Sequence, residues 1–145
     1  MHLNVGISPG DFPPNGIIFN KTDSVQDCDT PSFWNRTSNA SPTVADCQQI
    51  TQNIAGGGTW YVLGIAGQRQ LVQYGTCAFG VTVFIPRGVL LTKIGNQDII
   101  NRINTSIDKF ASNGLVGAEG LMECEDILSA DGYRDDPVDW GIYHT

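Results

Sequence analysis

Histidine is almost missing from this 145-residue sequence, and the two present, His2 and His144, stand at its ends. The body between them offers no imidazole, which excludes Ser-His-Asp and Cys-His nucleophilic catalysis and the usual zinc sites from the folded core. Charge is scarce as well. Asp, Glu, Lys and Arg make up 16% of the chain, against about 25% in ordinary soluble domains. With 8 bases against 15 acids the net charge is −7, too acidic to neutralise phosphates, so no nucleic acid is expected as a partner. No stretch approaches the ~20 apolar residues of a membrane-spanning helix. The opening residues Met1-His2-Leu3-Asn4-Val5-Gly6 lack the basic and apolar regions of a signal peptide, so the sequence reads as a mature form with an added Met1.

The cysteines are few, four in all, and no two form a C-x-x-C pair, which removes thioredoxin-type redox chemistry and zinc knuckles. Cys28, Cys47, Cys77 and Cys124 form an even set and read as two disulfides. Asn20-Lys21-Thr22, Asn35-Arg36-Thr37, Asn39-Ala40-Ser41 and Asn104-Thr105-Ser106 all fit the N-glycosylation sequon. Pro42 makes Asn39 the poorest acceptor, leaving Asn20, Asn35 and Asn104 as the candidates. Disulfides, sequons and a surface rich in Gly, Asn, Ser and Thr together point to a secreted, extracellular protein. The length allows one ordinary domain, and 41% hydrophobic residues suffice to fold it.

Along the chain, residues 1–42 hold five of the seven prolines and read as an extended arm, with a short apolar run at Ile17-Ile18-Phe19. Residues 43–54 turn helical, with Val44, Cys47, Ile50 and Ile54 on one face, Thr43 or Pro42 at the start and Gly56-Gly57-Gly58 as the stop. Strand-like segments follow at 59–63 and 70–74, separated by a hairpin-length break, and at 76–85. In the last of these, Ala78 and Gly80 suit a face that something approaches closely. Pro86-Arg87-Gly88 turns into 89–94, read as its hairpin partner. A second helix over 97–111 carries Ile99, Ile100, Ile103, Ile107 and Phe110, with Asn96 as N-cap, Asp98 in the first turn and Asn113-Gly114 as the stop. Residues 115–124 read as a last strand. Two amphipathic helices and several strands without a βαβ rhythm predict an α+β, two-layer sandwich: an antiparallel sheet with both helices on one face.

Cys47 on the first helix and Cys77 at the head of the central strand are placed to pin helix to sheet. Cys28 would then join Cys124, tethering the arm to the last strand. Two other connectivities remain open at this point.

Four segments in a fixed order carry a family resemblance: Val44-Ala45-Asp46-Cys47, Tyr74-Gly75-Thr76-Cys77-Ala78-Phe79-Gly80-Val81, Ile94-Gly95-Asn96-Gln97-Asp98-Ile99-Ile100, and Asn113-Gly114-Leu115-Val116-Gly117-Ala118-Glu119-Gly120. Together they resemble the fungal necrosis-inducing-factor domain, the family of the second extracellular protein secreted by the tomato leaf-mould fungus. The resemblance covers residues 28–124. It implies a small secreted effector, a virulence factor acting in the plant apoplast and provoking host cell death or immune recognition, with a host protein or membrane component as partner. The family is similar to fungal killer toxins of the α/β-sandwich type, so an alternative is a protein that perturbs calcium channels of competing fungi or host cells. No catalytic residue is carried over. Residues 1–27 are then an N-terminal arm, 28–124 the effector domain and 125–145 an acidic tail. No chitinase-linked function is expected, and the protein is expected to act as a monomer.

The remaining candidates favour binding over catalysis, with no cofactor and no metal expected. Paired carboxylates could serve a glycosidase, but between Cys47 and Ala118 only Asp98 and Asp108 occur, one at a helix start and one on its polar face. Asp131-Gly132-Tyr133-Arg134-Asp135-Asp136 lacks the order of a calcium loop and reads as solvated tail. Gly75, Gly80, Gly117 and Gly120 read as sites of close helix-on-sheet approach or bulges. The adjacent Trp60 and Tyr61 face opposite sides of a strand, so one reads as core; a core role for the other is favoured over a recognition surface. Arg69, Arg87, Lys93, Arg102 and Lys109 make the middle of the chain net basic, as a scattered solvated face rather than a patch.

Overall fold

The computed structural model describes residues 16–21, 26–63, 67–83, 91–127 and 135–145. Along the chain lie β1 (Ile17–Asn20), β2 (Cys28–Asp29), β3 (Trp34–Asn35), α1 (Val44–Asn53), β4 (Thr59–Leu63), β5 (Arg69–Tyr74), β6 (Cys77–Val83), β7 (Leu91–Gly95), α2 (Asn96–Phe110), β8 (Ala118–Glu125) and β9 (Asp135–His144). The architecture is the α+β sandwich expected, built from two antiparallel sheets rather than one. A small sheet has the order β1-β4-β7; a six-stranded sheet has the order β2-β8-β9-β6-β5, with β3 also on β8. The turn at Pro86-Arg87-Gly88, the calcium-loop-like residues 131–134 and most of the N-terminal arm lie outside the described residues.

Local signals set the helix ends. Thr43 stays extended and its hydroxyl accepts the N–H of Asp46, starting α1. The chain leaves α1 through Gly57 and Gly58, both at positive φ, where a side chain would be strained. In α2 the N-cap is Gly95, not Asn96. The Asn96 side chain instead accepts from Trp60 Nε1 at 2.7 Å and donates to the Gly57 carbonyl at 3.0 Å, tying the helix start to the small sheet.

Three strand assignments need correction. The segment 59–63 forms no hairpin with 70–74: β4 lies between β1 and β7, while β5 pairs with β6. Likewise β7 pairs with β4, not with β6. Alternation marks a strand but leaves its partner to the tertiary fold. The third correction is the largest. The segment read as a solvated acidic tail supplies a strand, because β9 lies between β8 and β6 in the six-stranded sheet. Val138, Trp140 and Ile142 alternate inward and are buried, while Asp139, Gly141 and Tyr143 point to the other face. Of the acids, Asp136 is buried and accepts the Thr92 hydroxyl at 2.6 Å.

One face of the six-stranded sheet carries Cys77, Phe79, Val81 and Val83 of β6, opposite Val138, Trp140 and Ile142 of β9, with Ala118 and Met122 of β8. Ile50 of α1 and Ile99 and Ile103 of α2 join the same core. Phe33 meets the Trp140 indole edge-on and Phe79 stacks parallel to it, at 5.2 and 6.1 Å between ring centroids. Two disulfides brace this core: Cys47–Cys77 locks α1 to β6 across the layers, and Cys28–Cys124 cross-links the neighbouring strands β2 and β8. Asp46 adds a polar tie, accepting both the N–H and the hydroxyl of Thr76, at 2.8 and 2.7 Å. Among the described residues no helix lies on the opposite face of the sheet; Glu119, Leu121 and Glu123 of β8 are exposed there.

Candidate functional site

The uncovered face holds the site. Paired residues of antiparallel strands point to the same side, so the register defines a row across five strands: Gln70 of β5, Gly80 of β6, Gly141 of β9, Glu119 of β8 and Trp34 of β3. Two glycines at the centre leave a trough, a cavity of about 360 Å³. Its walls are Tyr143 and Asp139, two residues either side of Gly141 on β9, with Thr82 of β6, Gln68, Glu119 and Arg36.

The two floor glycines differ. A Cβ on Gly80 would meet the Tyr143 hydroxyl at 2.6 Å and the Gln68 amide nitrogen at 3.1 Å, so these polar groups close over it from two sides. A Cβ on Gly141 would find Tyr143 at 3.7 Å and the Ala118 carbonyl at 3.8 Å, ordinary contact distances. The floor at Gly141 is open.

Two carboxylates lie on this wall. Glu119 and Asp139 are diagonal neighbours on adjacent strands. Burial raises the Asp139 carboxyl above the usual range, and the negative charge of Glu119 adds to the rise. Glu119 in turn is ion-paired with Arg36 Nε at the mouth. Burial also raises the Tyr143 phenol, which stays a hydrogen-bonding hydroxyl. The wall can therefore offer acceptors from Glu119, donors from Arg36 and Gln68, and both from Tyr143. Trp34, 48% exposed, stands at the end of the row.

The residues singled out by sequence fall elsewhere. The four cysteines are structural. Asn35 and Asn104 are exposed, and the Asn35 side chain accepts the N–H of Thr37. Asn20 ends β1, and Thr22 of its sequon lies outside the described residues. Tyr61 is core, and Trp60 is held between Phe19 and Asn96. Arg102 is buried, Lys93 pairs with Glu125 at 3.3 Å and Lys109 lies over the Phe33 ring, so these bases form no patch; Arg87 lies outside the described residues. Asp98 is more than a dipole partner: buried in α2, it accepts the backbone N–H groups of Asp27, Cys28 and Gly95. Among the described residues no cluster of His, Cys, Asp and Glu could hold a metal ion.

Gly80 fits the expected close approach, but on the face away from the helices. At Gly75 the approaching group is Asp46 of α1, as expected; at Gly120 it is the Ser32 carbonyl, from a loop. The sequence reading missed Glu119, Asp139, Gly141 and Tyr143 as a group. The signal was present in the strict alternation of Val138, Trp140 and Ile142 with Asp139, Gly141 and Tyr143, which the surrounding acids disguised.

Residues 27–124 match the profile of the Hce2 family, described as a pathogen effector and proposed necrosis-inducing factor. Two proteins of Penicillium expansum are similar over the chain. One, named probable chitinase LysM18, is 37% identical over 129 residues, 89% of this chain and 9% of its own length. The other, named secreted chitinase LysM12, is 30% identical over 114 residues, 77% of this chain and 7% of its own. The chain thus spans less than a tenth of the length of these relatives. Both the profile match over the disulfide-bonded body and the identity across most of the chain lead to one assignment: the chain belongs to the Hce2 pathogen-effector family.

Proposed function

We propose that this chain is a secreted effector that acts outside the producing cell, in the plant apoplast, by binding a host target through the uncovered face of its six-stranded sheet. Family membership supports the effector role, and the name of one relative, a secreted chitinase, supports an extracellular setting. Two disulfides fit an oxidising compartment. The observation that carries the binding reading is the trough itself: Glu119, Asp139, Tyr143 and an open floor are presented on paired strands, which hold side chains more firmly than loops do, with Arg36 and Gln68 beside them as donors. Necrosis or immune recognition would follow from the occupied surface.

Infiltration of pure protein into leaves tests this. Wild type should provoke cell death or an immune response in responsive genotypes, and Tyr143→Ala, equally folded, should lose most of it. An undiminished response to the variant would move the active surface elsewhere. Calcium influx in the same tissue reads the channel-perturbing alternative.

A catalytic reading has two observations in its favour: two carboxylates share the trough wall, and relatives are named chitinases. Against it, Glu119 is engaged by Arg36, which competes with any role as a free base or nucleophile. Release of reducing ends from chitin by the purified chain, abolished by Asp139→Asn, would establish it.

A further inference from the structure

We infer that the trough over Gly80 and Gly141 takes an oligosaccharide bearing free amino groups. This rests on the binding reading above and names its ligand class.

Backbone pairing comes first. β9 is hydrogen-bonded on both sides, to β8 and β6, and β6 on both sides, to β9 and β5. The trough floor therefore has no free N–H or C=O row with which a peptide could add as a strand. Recognition falls to side chains, and those present suit a hydroxyl-rich ring. Arg36, Gln68, Glu119 and Asp139 end in flat polar groups that can each meet two hydroxyls, and Tyr143 adds one more hydroxyl. The missing side chain at Gly141 lets a flat ring reach the sheet. Exposed Trp34, in the same cross-strand row, offers an aromatic face to the apolar side of a sugar.

Charge then selects among sugars. On the wall Glu119 and Asp139 stand against Arg36, and Glu123 lies further along the same face, which leaves the surface net acidic. An anionic polysaccharide would be repelled. An ammonium group would gain a charge-assisted hydrogen bond to a carboxylate, and beside Trp34 or Tyr143 an attraction to the ring.

The test uses the purified full chain and three oligomers of equal length: glucosamine, N-acetylglucosamine and glucose. Titration calorimetry is run at about pH 6, where an aliphatic amine is protonated and ordinary carboxylates are ionised. The glucosamine oligomer should bind at least about tenfold more tightly than the other two, one strong charged contact being of that order, and the difference should shrink in high salt. Gly141→Ala keeps the backbone and fits without collision, so it should fold at least as stably as wild type while weakening binding by about tenfold or more. Glu119→Gln keeps a flat polar group but removes its charge, so it should weaken the amino-sugar oligomer more than the glucose oligomer and narrow the difference between them.

Several results would overturn the inference: no binding of any oligomer, equal binding of acetylated and free-amine oligomers, binding unaffected by Gly141→Ala, cleavage of the oligomer, or tighter binding of a lysine-rich peptide than of the amino sugar. Leaf infiltration with Gly141→Ala separates the two levels. If that variant loses the leaf response while wild type binds no oligomer, the surface stands and the ligand class fails. If it keeps the leaf response, the binding-surface reading fails on its own terms.

Discussion

The backbone N–H of Cys28 is bonded to a carboxylate seventy residues away: Asp98 Oδ1 accepts it at 3.2 Å, while Oδ2 accepts the N–H of Asp27 at 2.9 Å. One buried side chain at the start of α2 thereby holds the segment leading into the Cys28–Cys124 disulfide. Burial pushes the Asp98 carboxyl up to about 6, from 3.8, against the three backbone donors that favour its charge. The folded state consequently holds more protons than the unfolded state between these values. The stabilisation from protonated Asp98 is full below pH 3.8 and is lost as pH rises through about 6. It amounts to at most about 3 kcal/mol. Thermal unfolding followed by circular dichroism should show the midpoint falling over that window, and Asp98→Asn should flatten the slope while lowering the midpoint throughout.

Asp46 titrates in the opposite sense. The N–H and hydroxyl of Thr76 hold its carboxyl below 3.8, so its contribution is present above that value and is lost as pH falls through the depressed one. Thr76→Val should weaken resistance to acid, read as an acid-unfolding midpoint moved to higher pH.

The two disulfides should contribute unequally. Cys28 and Cys124 are 96 residues apart, Cys47 and Cys77 30 apart. Chain-entropy arithmetic then assigns about 4.7 kcal/mol to the first bridge and about 3.6 to the second. Paired Cys→Ser variants, compared by urea denaturation, should rank in that order. The reverse order would indicate that pinning α1 to the sheet matters more than closing the long loop.

β9 should be indispensable. Deleting residues 128–145 removes the strand that β6 and β8 both pair with. The shortened chain should be unfolded by circular dichroism, whereas loss of a solvated tail would leave the fold untouched. In the full chain, Trp140→Ala should cost about 3–5 kcal/mol, because the indole is buried and packs on both Phe33 and Phe79.

Gly120 and Gly141 make a matched pair for substitution. A Cβ at Gly120 would lie 1.8 Å from the Ser32 carbonyl, which is backbone and cannot swing aside. Gly120→Ala should lower the unfolding midpoint and displace the segment that carries Phe33, changing Trp140 fluorescence. Gly141→Ala, with no neighbour closer than 3.7 Å, should do neither.

Much of the fold was legible because it is local. The 3–4 spacing of Val44, Cys47 and Ile50 and of Ile99 and Ile103 sets both helices, and Thr43 sets where the first begins. The apolar alternation in Cys77-Phe79-Val81-Val83 identifies β6 and its buried face. Partners were not legible. β4 and β5 are close in sequence yet lie in different sheets, because alternation sets which face of a strand is buried and not which strand lies at its edge. Nor was β9: Asp135, Asp136 and Asp139 suggest solvent until their neighbours Val138, Trp140 and Ile142 are seen to need a core.

The sequence alone determined the chemistry this protein can draw on: no histidine in its body, an even set of cysteines, an acidic balance and two helices with one apolar face each. These follow from residue identity and short-range periodicity. Only the tertiary structure decided that Gly80 and Gly141 lie side by side, with Glu119, Asp139 and Tyr143 around them. Those residues come from three strands spread over some sixty positions, and strand register, set by burial of the opposite face, is what brings them to one surface.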